Sequence, residues 1–420
     1  MMNRKFKLHN SIGKEELQAA SKVIKTGNLS GFYAQDLSKF FGGKKVLEFE
    51  EKLKKFFKVK YAITVNSWTS GLISIIGALD IKPGDEIILP PFTMSACAIS
   101  ILHWNAIPVF ADVDEKTFCI TPKSVEKKIT KKTKAVMLVD INGHPSDING
   151  FKKIAKKYRL KLIIDAAQSI GAKYVKQNKF AGTVGDVGGF SLNIHKHINT
   201  GEGGVIVTNN RSIALKTQLI RNHGENMVKK LKIKNFSNIL GYNFRLGEIE
   251  AAIGIEQLKK LPTILKKIQN DAHILNKNLK NLQGLIVPDI NKKLITHSYY
   301  TYGLKLDLEV IKTPRRKIVK LLRKEGLPVG EGYLNLHLLP LFSKKIAYAS
   351  KGFPWNLNNN KKYIYKKGHL KVAEDLHFKS YLGIGVTHYD FSKKDIQFII
   401  NGFKKVWKKL GLKIANDNRK

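Results

Sequence analysis

The stretch KLIIDAAQSIG, from Lys161 to Gly171, decides the fold. Its apolar run leads into Asp165, and Gln168 follows three residues later. A run of this kind indicates a buried parallel strand that brings Asp165 to its carboxyl end, where open α/β sheets bind ligands. A buried carboxylate needs a cationic partner. Asp165 is an equally good N-cap for a helix beginning at Ala166, so the stretch alone leaves both roles open.

A candidate partner lies on the next predicted strand, in FSLNIHKHINTGEGG from Phe190 to Gly204. Lys196 follows an apolar segment there and precedes a glycine-rich turn. A lysine becomes a nucleophile at neutral pH when a desolvated pocket lowers its pKa. In enzymes that use pyridoxal phosphate, such a lysine holds the cofactor aldehyde and a carboxylate pairs with the pyridine nitrogen. Asp165 and Lys196 suit these two parts, although composition alone makes Lys196 one of many solvated lysines.

Short apolar runs alternate with helix-like segments around these two stretches, from Tyr61 to Asn209. The alternation predicts an α/β fold with a mostly parallel sheet flanked by helices on both faces. Helices are expected after Thr69, Thr93, Pro122 and Ser146. The predicted strands are YAITVNS, EIILPP, IPVFADV, KAVMLVDI, KLIIDAA, GGFSLN and GGVIVTN.

The rest of the chain predicts a smaller α+β C-terminal domain. SYYTYGLKL is typical of a strand, RRKIVKLLRKEG of a helix ended by Gly326, and DFSKKDIQFIINGFKKVWKKLG of an amphipathic terminal helix. Apolar residues at helical spacing from Leu246 to Leu282, interrupted at Pro262, predict a link between the two parts. We therefore expect a large cofactor-binding domain with an N-terminal arm over residues 1–255, and a linking helix with the small domain over 256–420.

Further motifs occur in order along nearly the whole chain, and together with the two stretches above they resemble the DegT/StrS-type sugar aminotransferases. These are fold-type I enzymes that use pyridoxal phosphate. Any one of the motifs alone would be a weak signal. They are NSWTSGL (66–72), KPGDEIILPPFTMSA (82–96), IPVFADVD (107–114), GHPSDI (143–148), GDVGGFSLN (185–193), LGYNFRLGEIEAAIGIEQL (240–258) and VAEDL (372–376).

The resemblance implies an activity and the residues that carry it. The expected reaction converts a nucleotide-linked keto-sugar to an amino-sugar, with glutamate as the expected donor, in polysaccharide or lipopolysaccharide biosynthesis. Lys196 would be the catalytic lysine that binds the cofactor covalently. Asp165 would bind the pyridine nitrogen, Gln168 would lie near the ring hydroxyl, and Ser191 would hold the phosphate.

The phosphate is expected at the start of a helix. The backbone around Trp68 and Thr69 would share it with Ser191, and a helix N-terminus suits an anion because its N–H groups are unpaired and its dipole is positive. By the same resemblance Asn243 reaches the phosphate from the partner subunit, which implies a homodimer with shared active sites. Tyr333 and His337 match a region that borders the substrate, although a core tyrosine and a surface histidine fit them at least as well.

The chain departs from the family pattern at two positions. The family often has a small residue where this chain has Trp68, and an aromatic one where it has Met94. Phe92 is therefore expected among the cofactor-binding residues, as the ring that covers the cofactor, with Met94 as the alternative.

Two other functions stay open. Some relatives replace the lysine with histidine and catalyse sugar deoxygenation, and here His195 and His197 flank Lys196. The register from Phe190 puts the lysine at the cofactor position, which favours amino transfer over a sugar dehydratase. The other alternative is a non-catalytic basic binding or regulatory protein. Retention of lysine, aspartate and glutamine together argues against it, because a binding scaffold needs none of them.

Composition limits the setting in which the protein works. Its 420 residues carry 74 Lys and Arg against 33 Asp and Glu, a net charge of +41. The lysines are scattered rather than gathered with aromatic residues, so no nucleic-acid partner is expected, whereas the charge favours anionic substrates. Only two cysteines are present, and the sequence shows neither a metal-binding pattern, nor a signal peptide, nor a membrane-spanning run. A cytoplasmic enzyme without a metal or a membrane partner is expected.

Overall fold

The computed structural model describes residues 5–234, 237–358 and 363–415. Helices and strands are numbered separately in chain order. The α-helices in these ranges are α1 Lys14–Thr26, α2 Lys44–Phe57, α3 Trp68–Ala78, α4 Ala96–His103, α5 Pro122–Glu126, α6 Ile148–Tyr158, α7 Arg211–Arg221, α8 Glu248–Leu279, α9 Arg315–Lys324, α10 Pro340–Ser343, α11 Lys371–Asp375 and α12 Lys393–Lys409. Short 3₁₀-helices cover Ile141–Gly143, Gly224–Asn226, Leu336–Leu338 and Trp355–Leu357, and one π-helix covers Leu376–Ser380.

Within the described ranges, the strands form one large sheet, one smaller sheet and two short hairpins. They are β1 Tyr61–Val65, β2 Glu86–Leu89, β3 Ile107–Phe110, β4 Thr133–Val139, β5 Lys161–Asp165, β6 Lys173–Tyr174, β7 Lys179–Phe180, β8 Val187–Ser191, β9 Gly204–Thr208, β10 Leu285–Ile286, β11 Tyr302–Leu306, β12 Val329–Gly330, β13 Ile346–Ala347, β14 Ser350–Lys351 and β15 Tyr381–Ile384.

The large sheet has seven strands in the order β1-β9-β8-β5-β4-β2-β3. Strands β8, β5, β4, β2 and β3 are mutually parallel, and β9 runs antiparallel to both of its neighbours. The sheet consists of the seven strands predicted from the sequence, and α3, α4, α5 and α6 lie where helices were expected. The predicted α/β fold is therefore confirmed.

Helices cover both faces of this sheet because its strands are apolar on both sides. Ile87 and Leu89 of β2 enter the core shared with α3 and α4. Ile88, which lies between them and points the other way, enters the core shared with α2 and α6. Alternation along a strand thus feeds two cores, as expected for a parallel sheet buried on both faces.

The C-terminal part contains the four-stranded antiparallel sheet β10-β11-β15-β12. Helix α9 ends beside Gly326, whose φ of 82° lies in the left-handed region that favours glycine. Helix α12 begins with a capping box formed by Ser392 and Asp395. Both helices share a core with the sheet, so the predicted α+β architecture of this part is also confirmed.

Helix α8 joins the two parts and differs from its prediction. The sequence suggested an interruption at Pro262, but the helix runs unbroken from Glu248 to Leu279. Proline removes one backbone hydrogen bond, and here it lies on the exposed side, where water can satisfy the freed carbonyl. Side chains up to Leu265 enter the core of the large sheet, and those from Ile268 onward enter the core of the small one. The domain division after residue 255 falls within this helix and stays a prediction.

A buried ion pair ties α2 and α7 to β1, the edge strand of the large sheet. Arg221 donates to Glu50 Oε1 (2.6 Å) and to the carbonyl of Thr64 (2.9 Å). Glu50 also accepts hydrogen bonds from the backbone N–H and the hydroxyl of Thr64. The arginine side chain is fully buried and that of Glu50 is 8% exposed. Each charge therefore has close partners of opposite or complementary polarity.

Candidate active site

The order of the strands gathers the predicted site residues at one edge of the large sheet. Asp165 ends β5 and lies opposite Gly189 of β8, two residues before Ser191. Ser191 is paired with Gly204 of β9, and Gly204 is in turn paired with Val65 at the end of β1. Because α3 starts three residues after Val65, its N-terminus lies beside the carboxyl ends of β5 and β8. Open α/β sheets bind ligands at such an edge.

The start of α3 has the features of an anion site. Ser67 is the N-cap, and its Oγ accepts a hydrogen bond from the N–H of Ser70 (3.1 Å). The N–H groups of Trp68 and Thr69 precede that bond, in the turn where a helix has no internal acceptors. A Cβ on Gly204 would lie 2.8 Å from the Trp68 nitrogen, so only glycine fits behind this turn. Ser191 is buried and Thr69 exposed, one behind the helix start and one at the surface.

Asp165 is a buried carboxylate held by three donors. Its Oδ1 accepts hydrogen bonds from Trp68 Nε1 (2.7 Å) and from the N–H of Ala167 (3.1 Å). Its Oδ2 accepts one from the Cys97 thiol (3.1 Å). Burial raises the pKa of Asp165, whereas these hydrogen bonds and the charge of Lys196 oppose the rise. The carboxylate is thus desolvated and oriented, with no ammonium among these close partners.

Lys196 lies in the loop after β8, and its amine is close enough to Asp165 for the two charges to interact. Its Nζ is 4.2 Å from the centre of the Tyr300 ring, a cation–π contact. Burial lowers the pKa of the Lys196 amine to about 8, and the Asp165 carboxylate opposes that shift. About a tenth of such amines are unprotonated at pH 7. Lys196 can therefore act both as a nucleophile and as a proton carrier near neutral pH.

A hydrogen-bonded chain runs from Gln168 towards the ring beneath the lysine. Gln168 Oε1 accepts from the N–H of Asn142 (2.7 Å), and its Nε2 donates to the Tyr333 hydroxyl (2.8 Å). Tyr333 also interacts with Tyr300, over which the amine of Lys196 lies. Burial raises the pKa of Tyr333 well above its usual range, so it keeps its proton. The structure therefore brings Gln168, Tyr333 and Lys196 together.

Phe92 has no surface left for a ligand. It is fully buried, and its ring makes edge contacts with Tyr333 and Tyr381, at centroid distances of 6.1 and 5.4 Å. Met94, two residues further on, is 57% exposed. Between the two alternatives, Phe92 supports the tyrosines from behind, and Met94 is the side chain with free surface to cover a bound ring.

His337 and Asn243 occupy different surroundings. His337 is fully buried, and its Nε2 lies 3.1 Å from Glu374 Oε1, in a contact that joins the 3₁₀-helix Leu336–Leu338 to α11. The Asn243 side chain is exposed and accepts a hydrogen bond from Arg245 Nε (2.6 Å). Its carbonyl lies 3.4 Å from Asn66 Nδ2, in the turn that leads to α3 of the same chain. Asn243 thus lies near the start of α3. His337 contacts Glu374 instead of the cluster formed by Lys196, Asp165, Gln168 and Tyr333.

Two contacts of the cluster could not be found from the sequence. No sequence motif marks Cys97, but its buried thiol donates to Asp165. Tyr300 lies in a predicted strand of the small domain, and no motif marked it. Both approach the cluster from elements far from Lys196 in sequence, so only the folded chain shows the contacts.

These groups suit each part of pyridoxal phosphate. An amine with a lowered pKa can meet its aldehyde, a buried carboxylate its pyridine nitrogen, an amide side chain its ring hydroxyl, and a helix N-terminus its phosphate. No element of the described chain (5–234, 237–358, 363–415) is a helix long and apolar enough to cross a membrane. The fold and the site define a fold-type I enzyme that depends on pyridoxal phosphate.

Comparisons with known proteins give the family. The profile of the DegT/DnrJ/EryC1/StrS aminotransferase family matches residues 12–375, and the chain belongs to this family. Spore coat polysaccharide biosynthesis protein SpsC of Bacillus subtilis is 31% identical over 87% of this chain and 92% of its own. GDP-perosamine synthase of Vibrio cholerae is 33% identical over 71% and 79%. The chain is thus a sugar aminotransferase.

A solved structure supports the same conclusion. Helicobacter pylori PseC, an aminotransferase involved in the biosynthesis of pseudoaminic acid, superimposes with a TM-score of 0.80 at 27% identity. The match covers 97% of this chain and the whole of that one. Both the large sheet and the C-terminal part therefore follow the architecture of a known sugar aminotransferase.

Proposed function

We propose that this enzyme transfers an amino group from glutamate to the keto carbon of a nucleotide-linked sugar. The observation that carries the proposal is the Lys196 amine, whose pKa of about 8 and contact with Tyr300 suit it to exchange protons near neutral pH. A binding protein would gain nothing from a desolvated amine beside a desolvated carboxylate, because both arrangements oppose folding.

Each side chain of the site has a separate task in this proposal. Bound pyridoxal phosphate supplies an electron sink and carries the amino group from the donor to the sugar. Lys196 holds the cofactor between reactions and moves the proton at the reacting carbon. Asp165 keeps the pyridine nitrogen protonated, while Gln168 and Tyr333 orient the ring hydroxyl and border the substrate. Ser191 and the start of α3, at Trp68 and Thr69, would bind the phosphate.

The choice of a nucleotide-linked sugar has two supports. One relative is named GDP-perosamine synthase, and its match covers most of both chains. The net charge of +41 also raises the local concentration of anions, and a nucleotide-linked sugar is anionic. Glutamate as the donor and a cytoplasmic location stay predictions from the family resemblance.

A homodimer with shared sites completes the proposal. The Asn243 side chain is exposed beside the start of α3, where it can reach a phosphate bound to a second subunit. Leu240 and Ile194, close in sequence to Asn243 and to Lys196, are each 60% exposed. Apolar side chains exposed to this extent around a site are suited to cover by a partner.

The test separates amino transfer from its two alternatives. Purified enzyme is loaded with the cofactor, and its visible absorbance is recorded before and after glutamate is added. A panel of nucleotide keto-sugars follows, with products identified by mass spectrometry. We expect glutamate to change the spectrum and one keto-sugar to gain an amino group.

Each alternative has its own result. Loss of a sugar oxygen without gain of nitrogen would show a dehydratase. A spectrum insensitive to every amino acid, in protein that retains the cofactor, would show a binding protein. The matched control is Lys216→Ala, because Lys216 is a buried lysine that is paired with Asp80 outside the site (2.5 Å). This variant should keep both reactions.

A further inference from the structure

The backbone of Trp68 is proposed to bind the cofactor phosphate. Its indole makes a second and separate contact, with Asp165. Its ring is 7% exposed and packs in the core between α3 and the large sheet. From there Nε1 donates to Asp165 Oδ1 over 2.7 Å, a short bond for a nitrogen donor. Hydrogen bonds to ionised acceptors are shorter and stronger than neutral ones, so the distance fits a carboxylate acceptor.

Two glycines make room for this ring. A Cβ on Gly189 would lie 2.0 Å from the carbonyl oxygen of Val205 and 2.4 Å from the indole, and one on Gly71 would lie 2.9 Å from the indole. Gly189 is also the residue of β8 that is paired with Asp165. Glycine within a strand weakens the strand and marks a place where another group approaches closely. The chain therefore has a glycine where the indole must pass to reach the carboxylate.

The remaining donors complete a clamp around the same carboxylate. Ala167 donates its N–H to the oxygen that Trp68 also contacts, and Cys97 of α4 donates its thiol to the other oxygen. With both oxygens held, the carboxylate group cannot rotate without losing hydrogen bonds. Each donor favours the ionised form of Asp165, which burial alone would disfavour.

We infer that the Trp68 side chain is a positioning residue, which holds Asp165 ionised and in a fixed orientation for the pyridine nitrogen, with the Cys97 thiol as the second arm of the clamp. The inference rests on Asp165 as the partner of the cofactor ring. It does not depend on which donor or sugar the enzyme uses. Trp68 acts through Asp165 and never contacts the reacting atoms in this scheme.

Trp68→Phe tests the inference, because it keeps most of the ring and removes the N–H. The matched control is Trp104→Phe. Trp104 is 6% exposed, lies in the same core, and donates its indole N–H to a backbone carbonyl, that of Ile73 (2.8 Å), instead of to Asp165. Both variants lose one buried hydrogen bond and some packing, so their effects on the melting temperature of the cofactor-free protein should be similar.

Cofactor retention should separate them. The dissociation constant of pyridoxal phosphate is measured by equilibrium dialysis at several pH values. Without the indole donor, Asp165 can turn away from the pyridine nitrogen or take up a proton, so cofactor binding should weaken about tenfold in Trp68→Phe, as for a pKa shift of one unit, and stay near wild type in Trp104→Phe. Affinity for pyridoxal phosphate that falls equally in both variants, or in neither, would overturn the inference.

The pH profile gives a second readout that packing alone would not move. The charged and titratable groups around Asp165 are Lys196 from its loop, Cys97 from α4 and Asp140 at the end of β4. Without the indole donor, the pKa of Asp165 rises further, so retention should fail at a higher pH as the solution is acidified. The pH at which half of the cofactor is retained should rise by about one unit for each tenfold loss of cofactor affinity. An unchanged midpoint would contradict the inference.

If Trp68→Phe does not fold, variants of Cys97, the second donor to Asp165, test the inference instead. Cys97→Ala removes the thiol donor and Cys97→Ser keeps a donor of similar size. We expect the alanine variant to show the weaker retention and the shifted pH profile, and the serine variant to restore both. Identical retention in the two variants would overturn the clamp. If the clamp is found but no keto-sugar gains nitrogen, the proposed function fails and this inference stands.

Discussion

Two pairs of opposite charge lie on the same large sheet and are built differently. Arg221 and Glu50, beside β1, are in direct contact at 2.6 Å, and Thr64 supplies further hydrogen bonds to both. Lys196 and Asp165, at the carboxyl ends of the strands, interact without such a contact, and neutral donors take the carboxylate oxygens. We call the first pair closed, because its members are in direct contact, and the second pair open, because its members are not.

The difference shows how a buried charge becomes reactive. A charge with ideal partners has no reason to change its protonation state, and breaking such a pair leaves an uncompensated charge. A charge with incomplete partners has a shifted pKa, as Lys196 and Asp165 do. We therefore expect changes at the closed pair to affect stability, and changes at the open pair to affect chemistry.

Lys196→Ala should give the largest effect of these variants. It tests whether the open pair determines the chemistry. Amino transfer should fall more than about a thousandfold, because the variant loses both covalent attachment of the cofactor and proton transfer. The melting temperature of the cofactor-free protein should stay the same or rise, since a desolvated amine is removed. Turnover number and calorimetry measure the two effects. Turnover within tenfold of wild type would remove Lys196 from its role.

Arg221→Met tests the stability side. It leaves Glu50 buried without its cation, so the free energy of unfolding should fall by about 3–5 kcal/mol. Urea unfolding measures this loss. The control is the double variant Arg221→Met/Glu50→Gln, which removes the uncompensated charge and keeps an acceptor for Thr64, and it should recover much of the loss. A single variant within about 1 kcal/mol of wild type would contradict the comparison.

Asn243→Ala should give a smaller effect and asks whether the open site is completed by a second chain. Loss of a neutral donor to a phosphate costs about 1.5–3 kcal/mol, roughly tenfold to a hundredfold in cofactor affinity. Mixing this variant with Lys196→Ala subunits gives heterodimers. If the sites are shared, one site carries both changes and the other neither, so about half of a wild-type dimer's activity should return. No recovery after confirmed subunit exchange would show that Asn243 does not serve the partner's site.

The smallest expected effect is the pH dependence of the reactivity of Lys196. It tests whether the amine of the open pair has a lowered pKa. In cofactor-free protein, modification of Lys196 by an amine reagent, followed by peptide mapping, should reach half its plateau at about pH 8. An amine with the ordinary lysine pKa of about 10.4 would still be rising there. A midpoint near pH 10 for Lys196 would show that its amine is not desolvated.

The same shift has a defined sign for stability. Between about pH 8 and the unfolded value near 10.4, the unfolded chain binds more protons than the folded one. The contribution of Lys196 to folding therefore becomes more favourable as the pH rises through this window, and it is constant below it. In Lys196→Ala this part of the slope should be missing from the pH profile of urea unfolding.

Strand order explains how much of the site the sequence could predict. Asp165 and Lys196 belong to β5 and to the loop after β8, which are neighbours in the sheet. An apolar run that ends in a polar residue therefore indicated where the residue would lie, and the positions of all seven strands followed from the same pattern. The start of α3 could be placed for the same reason, since it follows β1 directly.

What could not be predicted depends on side-chain direction across distant segments. Whether the Trp68 indole reaches Asp165 is decided by the lack of a side chain at Gly189, a residue of another strand. His337 matched a motif that borders the substrate, but Glu374 from α11 holds it in the interior. Pro262 lowers the helical propensity of its segment, yet packing on both sides carries α8 through it. Local sequence contains none of this information.

The unbroken helix α8 also has a mechanical consequence. Its first turns belong to one core and its last turns to the other, so a change in the curvature of this helix would shift the two cores relative to each other. From Pro262 to Leu279 the rod is about 25 Å long at 1.5 Å per residue, and a bend of roughly 5° at the proline would move its far end by about 2 Å. The length of the helix beyond Pro262 would therefore turn a small local bend into a larger displacement of the C-terminal core.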